Sequence, residues 1–235
     1  MFRFFLSTRL LMNFIANYYT VSFLPVYIYF IGLSFFISLS AFYGKGGLLY
    51  LKLFSPFLFL TLIAEVLGSY FSSIGRNNLT LYNFFTVFEF SFYLFIINLI
   101  IENKRVKKII QITGVLYAIA AIVNILFIQT MKTFHTVTYS VGCLIIVIFC
   151  IYYFLELFRF PRFVNLLNSP AFWICSGLLF FYCCGFPLYG LVNYWQDIYP
   201  LVLNNFTTIF TILNIFLYSL FTIAFLCNKT RNYIS

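Results

Sequence analysis

Two acidic residues lie inside long apolar stretches of this sequence, where a charged side chain is unexpected. Glu65 is near the end of one stretch, and Glu89 is about nine residues into the next, roughly 13 Å deep at 1.5 Å per residue. Ionisable groups inside a membrane are costly and normally face the interior of a helix bundle. We therefore predict that Glu65 and Glu89 contribute to a binding pocket or a proton-linked site.

Other polar residues share a helix face with Glu89. Tyr82, Thr86, Glu89 and Tyr93 are spaced i, i+4, i+7 and i+11, which places them on one side of a helix. Further polar residues that we place in the same core are Tyr27, Ser34, Ser38, Tyr117, Asn124, Thr207, Thr211, Asn214, Tyr218 and Thr222. Arg76 lies between the two glutamates and could pair with either. The alternative is that these side chains only join helices through hydrogen bonds.

The composition requires these residues to be carried by membrane helices. Of the 235 residues, 63% are hydrophobic and 8% are charged, against about 25% charged in a soluble domain. The apolar runs are unbroken, unlike the alternating strands of a membrane barrel. Since a span needs about 20 residues, we predict an all-α bundle forming a single domain over residues 1–235. Its seven predicted spans are 21–42, 48–68, 80–101, 108–129, 135–157, 171–193 and 204–227.

The basic residues between the spans predict an orientation. With seven spans, ten of the fourteen Lys and Arg residues fall on one side of the membrane. They are Lys45, Lys52, Lys104, Arg105, Lys107, Lys108, Arg159, Arg162, Lys229 and Arg231. Positive charge favours the cytoplasm, so we expect the N-terminus outside and the C-terminus in the cytoplasm. The net charge of +9 is explained in this way, and we do not expect a nucleic-acid partner.

Two further features have functional interpretations. The basic cluster of Lys104, Arg105, Lys107 and Lys108 could bind a cytoplasmic partner, because the sequence has no soluble output domain of its own. Pro187 interrupts the sixth predicted span and could act as a hinge, although proline also produces static kinks.

The sequence contains none of the common motifs for binding a metal ion or a nucleotide cofactor. His135 is the only histidine, which excludes a site of several histidines around zinc. The six cysteines all fall in apolar runs and form no recognisable framework. There is no P-loop and no dinucleotide-binding glycine pattern. We therefore expect neither a metal ion nor a cofactor.

Several short motifs resemble those of a known group of proteins. These are Glu65-Val66-Leu67-Gly68, residues 77–83 (NNLTLYN), Phe88-Glu89-Phe90, Phe172-Trp173-Ile174 and residues 177–181 (GLLFF). The pattern resembles a family of uncharacterised small bacterial seven-helix membrane proteins. In outline the chain is also similar to the membrane sensor modules of bacterial histidine kinases. The resemblance implies a sensor in the bacterial inner (cytoplasmic) membrane.

We therefore expect a sensor, receptor-like or interaction module that signals through a separate cytoplasmic or membrane protein. Two alternatives stay open at this stage. One is a small transporter or channel, which requires a continuous polar path through the bilayer. The other is a lipid-active enzyme that uses Glu65 and Glu89 as general acid and base. An enzyme is the less favoured interpretation.

Overall fold

The structure is a computed structural model that describes residues 24–43, 48–129, 133–159, 166–195 and 200–234. In these ranges seven helices are long and apolar enough to cross a membrane, as predicted. The helices are α1 (Val26–Tyr43), α2 (Leu49–Ser73), α3 (Leu79–Ile100), α4 (Lys104–Val123), α5 (Thr136–Arg159), α6 (Pro170–Trp195) and α7 (Pro200–Ile234). A π-helical turn, Asn124–Ile128, continues α4, and a short 3-10 helix, Leu166–Asn168, precedes α6.

The helices pack as a closed ring in chain order. Each helix from α1 to α6 contacts the next, and α7 returns to contact α1. In addition, α3 contacts α5 across the ring. Side chains of α3 also reach α6 and α7, since the ring of Tyr93 lies 6.0 Å from Tyr182 and 6.2 Å from Phe221. As a result, one face of α3 is surrounded by the other helices.

Local sequence signals explain where the helices begin and end. The Asn103 side chain accepts a hydrogen bond from the backbone of Arg105 at 2.9 Å and caps the start of α4. Pro170 and Pro200 are the first residues of α6 and α7, where a missing backbone N–H does no harm. Gly75 follows α2 with φ of 69°, a conformation that favours glycine.

Some helices extend beyond the predicted spans. Helix α2 ends at Ser73 rather than 68, and α7 runs from Pro200 to Ile234, past both ends of the predicted 204–227. Polar residues near the membrane surface can remain helical, so hydropathy alone places span ends poorly. The first residues of the predicted span 21–42 lie outside the described ranges. Helix α6 continues through Pro187 to Trp195, and the hinge stays a prediction.

The outer surface of the ring is apolar. Large hydrophobic side chains project outwards from several helices, among them Phe36, Phe127 and Leu155. The largest buried side chains are mostly aromatic, and Phe54, Phe57, Phe90 and Phe221 are at most 2% exposed. An apolar exterior around an aromatic interior is the expected arrangement when the surrounding solvent is lipid.

Candidate functional site

Glu65 is held on α2 by two tyrosines from neighbouring helices. Its Oε2 accepts hydrogen bonds from the hydroxyl of Tyr27 on α1 at 2.8 Å and from that of Tyr82 on α3 at 3.2 Å. The side chain is half-buried. Both donors come from outside α2, so the orientation of this carboxylate depends on how α1, α2 and α3 pack together.

Gly68, one turn after Glu65, makes room for one of these tyrosines. A Cβ atom on Gly68 would overlap the Tyr82 hydroxyl. The absence of a side chain therefore lets α3 approach α2 closely enough for Tyr82 to reach Glu65. This glycine belongs to one of the motifs on which the family resemblance rests.

Glu89 lies at the middle of the 22-residue α3 and is half-buried. It interacts electrostatically with Glu65 and lies next to the hydroxyls of Tyr93 on α3 and Tyr182 on α6. No described Lys or Arg contributes to the electrostatic environment of either carboxylate. We call Glu65, Glu89, Tyr27, Tyr82, Tyr93 and Tyr182 the carboxylate cluster.

More tyrosines surround this cluster. Those close enough to Glu89 to interact with it electrostatically lie on α4, α5, α6 and α7, and are Tyr117, Tyr139, Tyr189 and Tyr218. Phe90 joins several of them, with ring centroids 5.5 Å from Tyr117, 5.2 Å from Tyr139 and 5.1 Å from Tyr182. The two carboxylates are thus surrounded by aromatic rings rather than by cations.

Several buried hydroxyls near Glu89 make no hydrogen bond of good geometry within the described structure, although those of Tyr93 and Tyr182 lie next to its carboxylate. Among the described residues, the buried hydroxyls of Tyr93, Tyr117 and Tyr182 make no hydrogen bond of good geometry, and neither does that of Ser34. Tyr93 and Tyr182 are 0% exposed. A buried polar atom without a good hydrogen bond destabilises a fold. Several such atoms around one carboxylate are consistent with a site that binds a ligand or water.

A second polar network lies beside the cluster. The ring of His135, directly before α5, pairs with the Thr86 hydroxyl at 2.6 Å and the Thr138 hydroxyl at 2.7 Å. Asn124, in the π-helical turn, donates to Thr138 at 3.1 Å. Burial lowers the pKa of His135 to about 4, so the ring is neutral near neutral pH. The network joins α3, α4 and α5 and has a structural role.

Two predicted site residues make no described bond to the carboxylate cluster. Arg76 is exposed in the turn after α2 and forms no ion pair with either glutamate in the described structure. Tyrosine hydroxyls from α1 and α3 take the place that the sequence suggested for Arg76. Asn214 donates to the carbonyl of Phe210 in its own helix at 2.8 Å. The other predicted polar residues, Tyr82, Thr86, Tyr93 and Asn124, lie in the cluster or in the His135 network.

The predicted partner-binding residues lie at the start of α4, in a segment that we call the basic turn (residues 103–108). Hydrogen bonds with α3 and α5 hold this segment in place. The Glu156 side chain on α5 accepts from the backbone N–H of Glu102 at 3.1 Å and of Asn103 at 3.0 Å. Asn98 at the end of α3 donates to the carbonyl of Lys107 at 2.7 Å. Lys104, Arg105 and Lys108 are exposed and Lys107 is half-buried.

Sequence reasoning missed three tyrosines of the site. Tyr182 and Tyr189 have no polar residue next to them in the sequence, and Tyr139 lies in the polar run of residues 135–140 (HTVTYS), so no helical periodicity marks any of the three. Tyr182 could have been found because it lies midway along a span, whereas tyrosines are normally enriched at the ends of spans.

The seam between α2 and α3 has an apolar outer side. Leu60, Ile63, Leu67, Phe84 and Phe88 line a groove there that opens to the exterior. Glu65 and Glu89 lie on the same two helices but do not line this groove.

Comparison with known proteins gives no relative. No protein family matches the chain, no curated protein is similar to it, and no solved structure matches it. Any function must therefore be argued from the site itself.

Proposed function

We propose that this protein is a membrane-embedded, receptor-like sensor module. In this proposal an occupant of the carboxylate cluster changes the packing of α3, and a separate signalling protein detects the change. The observation that carries the proposal is the pair of half-buried carboxylates, Glu65 and Glu89, surrounded by tyrosines and without a described cation. Such pairs in the membrane interior usually mark functional sites.

The position of α3 supports a connection between the site and a membrane surface. Glu89 and Asn98 lie on the same helix, nine residues or about 13 Å apart along its axis. Asn98 bonds directly to Lys107 in the basic turn. A shift or rotation of α3 caused at Glu89 would therefore move the basic turn, which is the kind of discrete helix movement that couples distant sites.

The orientation and location belong to the same proposal. We place the basic turn in the cytoplasm because most of the positive charge lies on its side of the membrane. The N-terminus is then outside, and the host membrane is the bacterial cytoplasmic membrane, as the family resemblance implies. In this orientation the exposed charges of Lys104 and Arg105 are available to a cytoplasmic or membrane-bound signalling protein.

Co-purification tests the proposal. The protein would carry a C-terminal tag, be extracted gently from native membranes, and be compared with Glu89→Gln and with the double variant Lys104→Glu/Arg105→Glu. We expect a signalling protein to co-purify with the native chain and to be lost with the double variant. Its recovery should also change with Glu89→Gln, which alters only the site in the membrane interior.

A matched control separates surface charge from site chemistry. Arg76→Glu changes an exposed charge in the turn between α2 and α3, which the proposed topology places on the opposite side of the membrane. It should leave the partner bound. If the protein is recovered alone in every form, or if Glu89→Gln has no effect on a partner that does bind, the sensor proposal is wrong and transport becomes the next function to test.

A further inference from the structure

The carboxylate cluster contains two acidic groups and no described basic group, which favours a positively charged ligand. Glu65 and Glu89 interact with each other, and no described Lys or Arg offsets them. Two like charges held together away from water strongly disfavour the ionised state. An occupant with one positive charge would offset the repulsion between the two carboxylates.

The aromatic walls indicate what kind of cation fits. The faces of tyrosine and phenylalanine rings attract organic cations, and rings from Phe90, Tyr93 and Tyr182 pack together around Glu89. A divalent metal ion such as Ca²⁺ prefers six to eight oxygen ligands. Walls built largely of carbon suit an ammonium group better than a bare inorganic ion.

Two tyrosine hydroxyls beside Glu89 provide further hydrogen-bond acceptors for a bound ammonium group. Those of Tyr93 and Tyr182 are fully buried and lie beside Glu89, to which they can donate, but neither oxygen accepts a hydrogen bond of good geometry from any described residue. A hydroxyl oxygen accepts hydrogen bonds, and a primary ammonium group has three N–H donors. One carboxylate and two tyrosine oxygens could therefore accept all three of them.

We propose that the carboxylate cluster binds a small primary ammonium group, with Glu89 as its main counter-charge and Tyr93 and Tyr182 as further acceptors. This inference rests on the proposed function, because it names the occupant that the sensor would detect. The ammonium group could belong to a soluble amine or to the headgroup of an amine-bearing lipid entering along the α2–α3 seam.

The test uses the full chain purified in a maltoside detergent without amine lipids. Propylamine hydrochloride is titrated while thermal unfolding and calorimetric binding are followed, with 1-propanol and sodium chloride as comparisons. We expect propylammonium to raise the unfolding temperature and the other two to have little effect. Glu89→Gln should weaken binding by about a hundredfold, and Tyr182→Phe by about fivefold.

Matched variants control for general effects on folding. Glu102→Gln removes an exposed carboxylate, and Tyr43→Phe removes the hydroxyl of a tyrosine that is 78% exposed. Both should bind propylammonium as the native chain does. Equal protection by 1-propanol or sodium chloride would overturn the proposal, as would binding that is unchanged in both Glu89→Gln and Tyr182→Phe.

A further arm separates the two sources of the amine. Phosphatidylethanolamine is added to the detergent, with phosphatidylglycerol as its comparison. Protection by phosphatidylethanolamine that exceeds protection by propylamine assigns the site to a lipid headgroup, and the reverse assigns it to a soluble amine. If neither compound raises the unfolding temperature, the proposal that the cluster binds a primary ammonium group is wrong. Partner recovery that still depends on Glu89 would then leave the sensor proposal standing with another ligand.

Discussion

Glu65 on α2 and Glu89 on α3 lie close enough for their carboxylates to interact electrostatically inside the helix bundle. Two tyrosines donate to Glu65, but no described cation lies near either residue. Two carboxylates without a counter-charge reduce the stability of the fold when no ligand is bound between them. The presence of this pair is easier to explain by binding than by packing, because apolar side chains of similar size would hold the helices together at lower cost.

Gly68→Ala should disturb the support of Glu65. The new methyl group would overlap the Tyr82 hydroxyl, push α3 away from α2 and break the bond to Glu65. Overpacking of this kind typically costs about 1–3 kcal/mol. We expect a loss of that size in the free energy of unfolding, measured by denaturation in detergent, together with weaker binding of any ligand at the cluster.

Gly32→Ala is the control for that change. Gly32 also lies inside a helix, but a Cβ there would meet no atom within 4 Å. Alanine is the better helix former by about 1 kcal/mol, so this variant should be neutral or slightly more stable. Equal destabilisation by both substitutions would show that the close approach at Gly68 is not the cause.

The stability of the protein should fall between about pH 6.5 and pH 4 because of His135. Its pKa is about 4 in the folded protein, against an ordinary value of 6.5. In this pH range the unfolded chain therefore binds a proton that the folded chain does not, and unfolding becomes easier as the pH falls. Over the whole range the loss is about 3 kcal/mol. The measurement is the free energy of unfolding as a function of pH.

His135→Asn should flatten this pH dependence. His135 is the only histidine in the chain, and titration of the carboxylates is common to both proteins, so the difference between the two curves isolates the ring. Curves of the same slope would mean that the ring of His135 is protonated equally well in the folded and unfolded protein.

Glu156→Ala should loosen the basic turn. The substitution removes the acceptor for the exposed backbone N–H groups of Glu102 and Asn103, at a cost of about 0.5–1.5 kcal/mol for each bond, since water can replace the acceptor. We expect faster amide hydrogen exchange at these two residues and in the first turn of α4. Tyr152→Phe removes only the acceptor for the Asn103 side chain and should have a smaller effect. Unchanged exchange in Glu156→Ala would show that the turn does not depend on it.

The sequence predicted the architecture well because the bilayer restricts it strongly. Runs of about 20 apolar residues permit little except spanning helices, and all seven were found. The three residues predicted to share a helix face with Glu89 also lie in the site or beside it. Helical periodicity predicts a shared face directly, so Tyr82, Thr86, Glu89 and Tyr93 could be assigned from spacing alone.

Contacts between distant helices were not predictable in the same way. A pair between Arg76 and a glutamate was suggested by nearness in sequence, yet the hydroxyl of Tyr27, 38 residues from Glu65, donates to the Glu65 carboxylate instead. Which helix faces which depends on side-chain packing throughout the ring, and single tyrosines such as Tyr182 carry no periodic signal. The close fit at Gly68 likewise appears only when α2 and α3 are placed side by side.

The stability of Glu89→Gln is the most direct test of whether the carboxylate cluster is a binding site. Glutamine keeps the shape of the side chain and removes its charge, and the measurement needs no knowledge of the ligand. We predict that, in detergent free of amines, this variant unfolds with a free energy equal to the native value or up to about 2 kcal/mol higher, since functional sites are maintained at the expense of stability. A decrease of more than about 1 kcal/mol would contradict the account and assign Glu89 to helix packing.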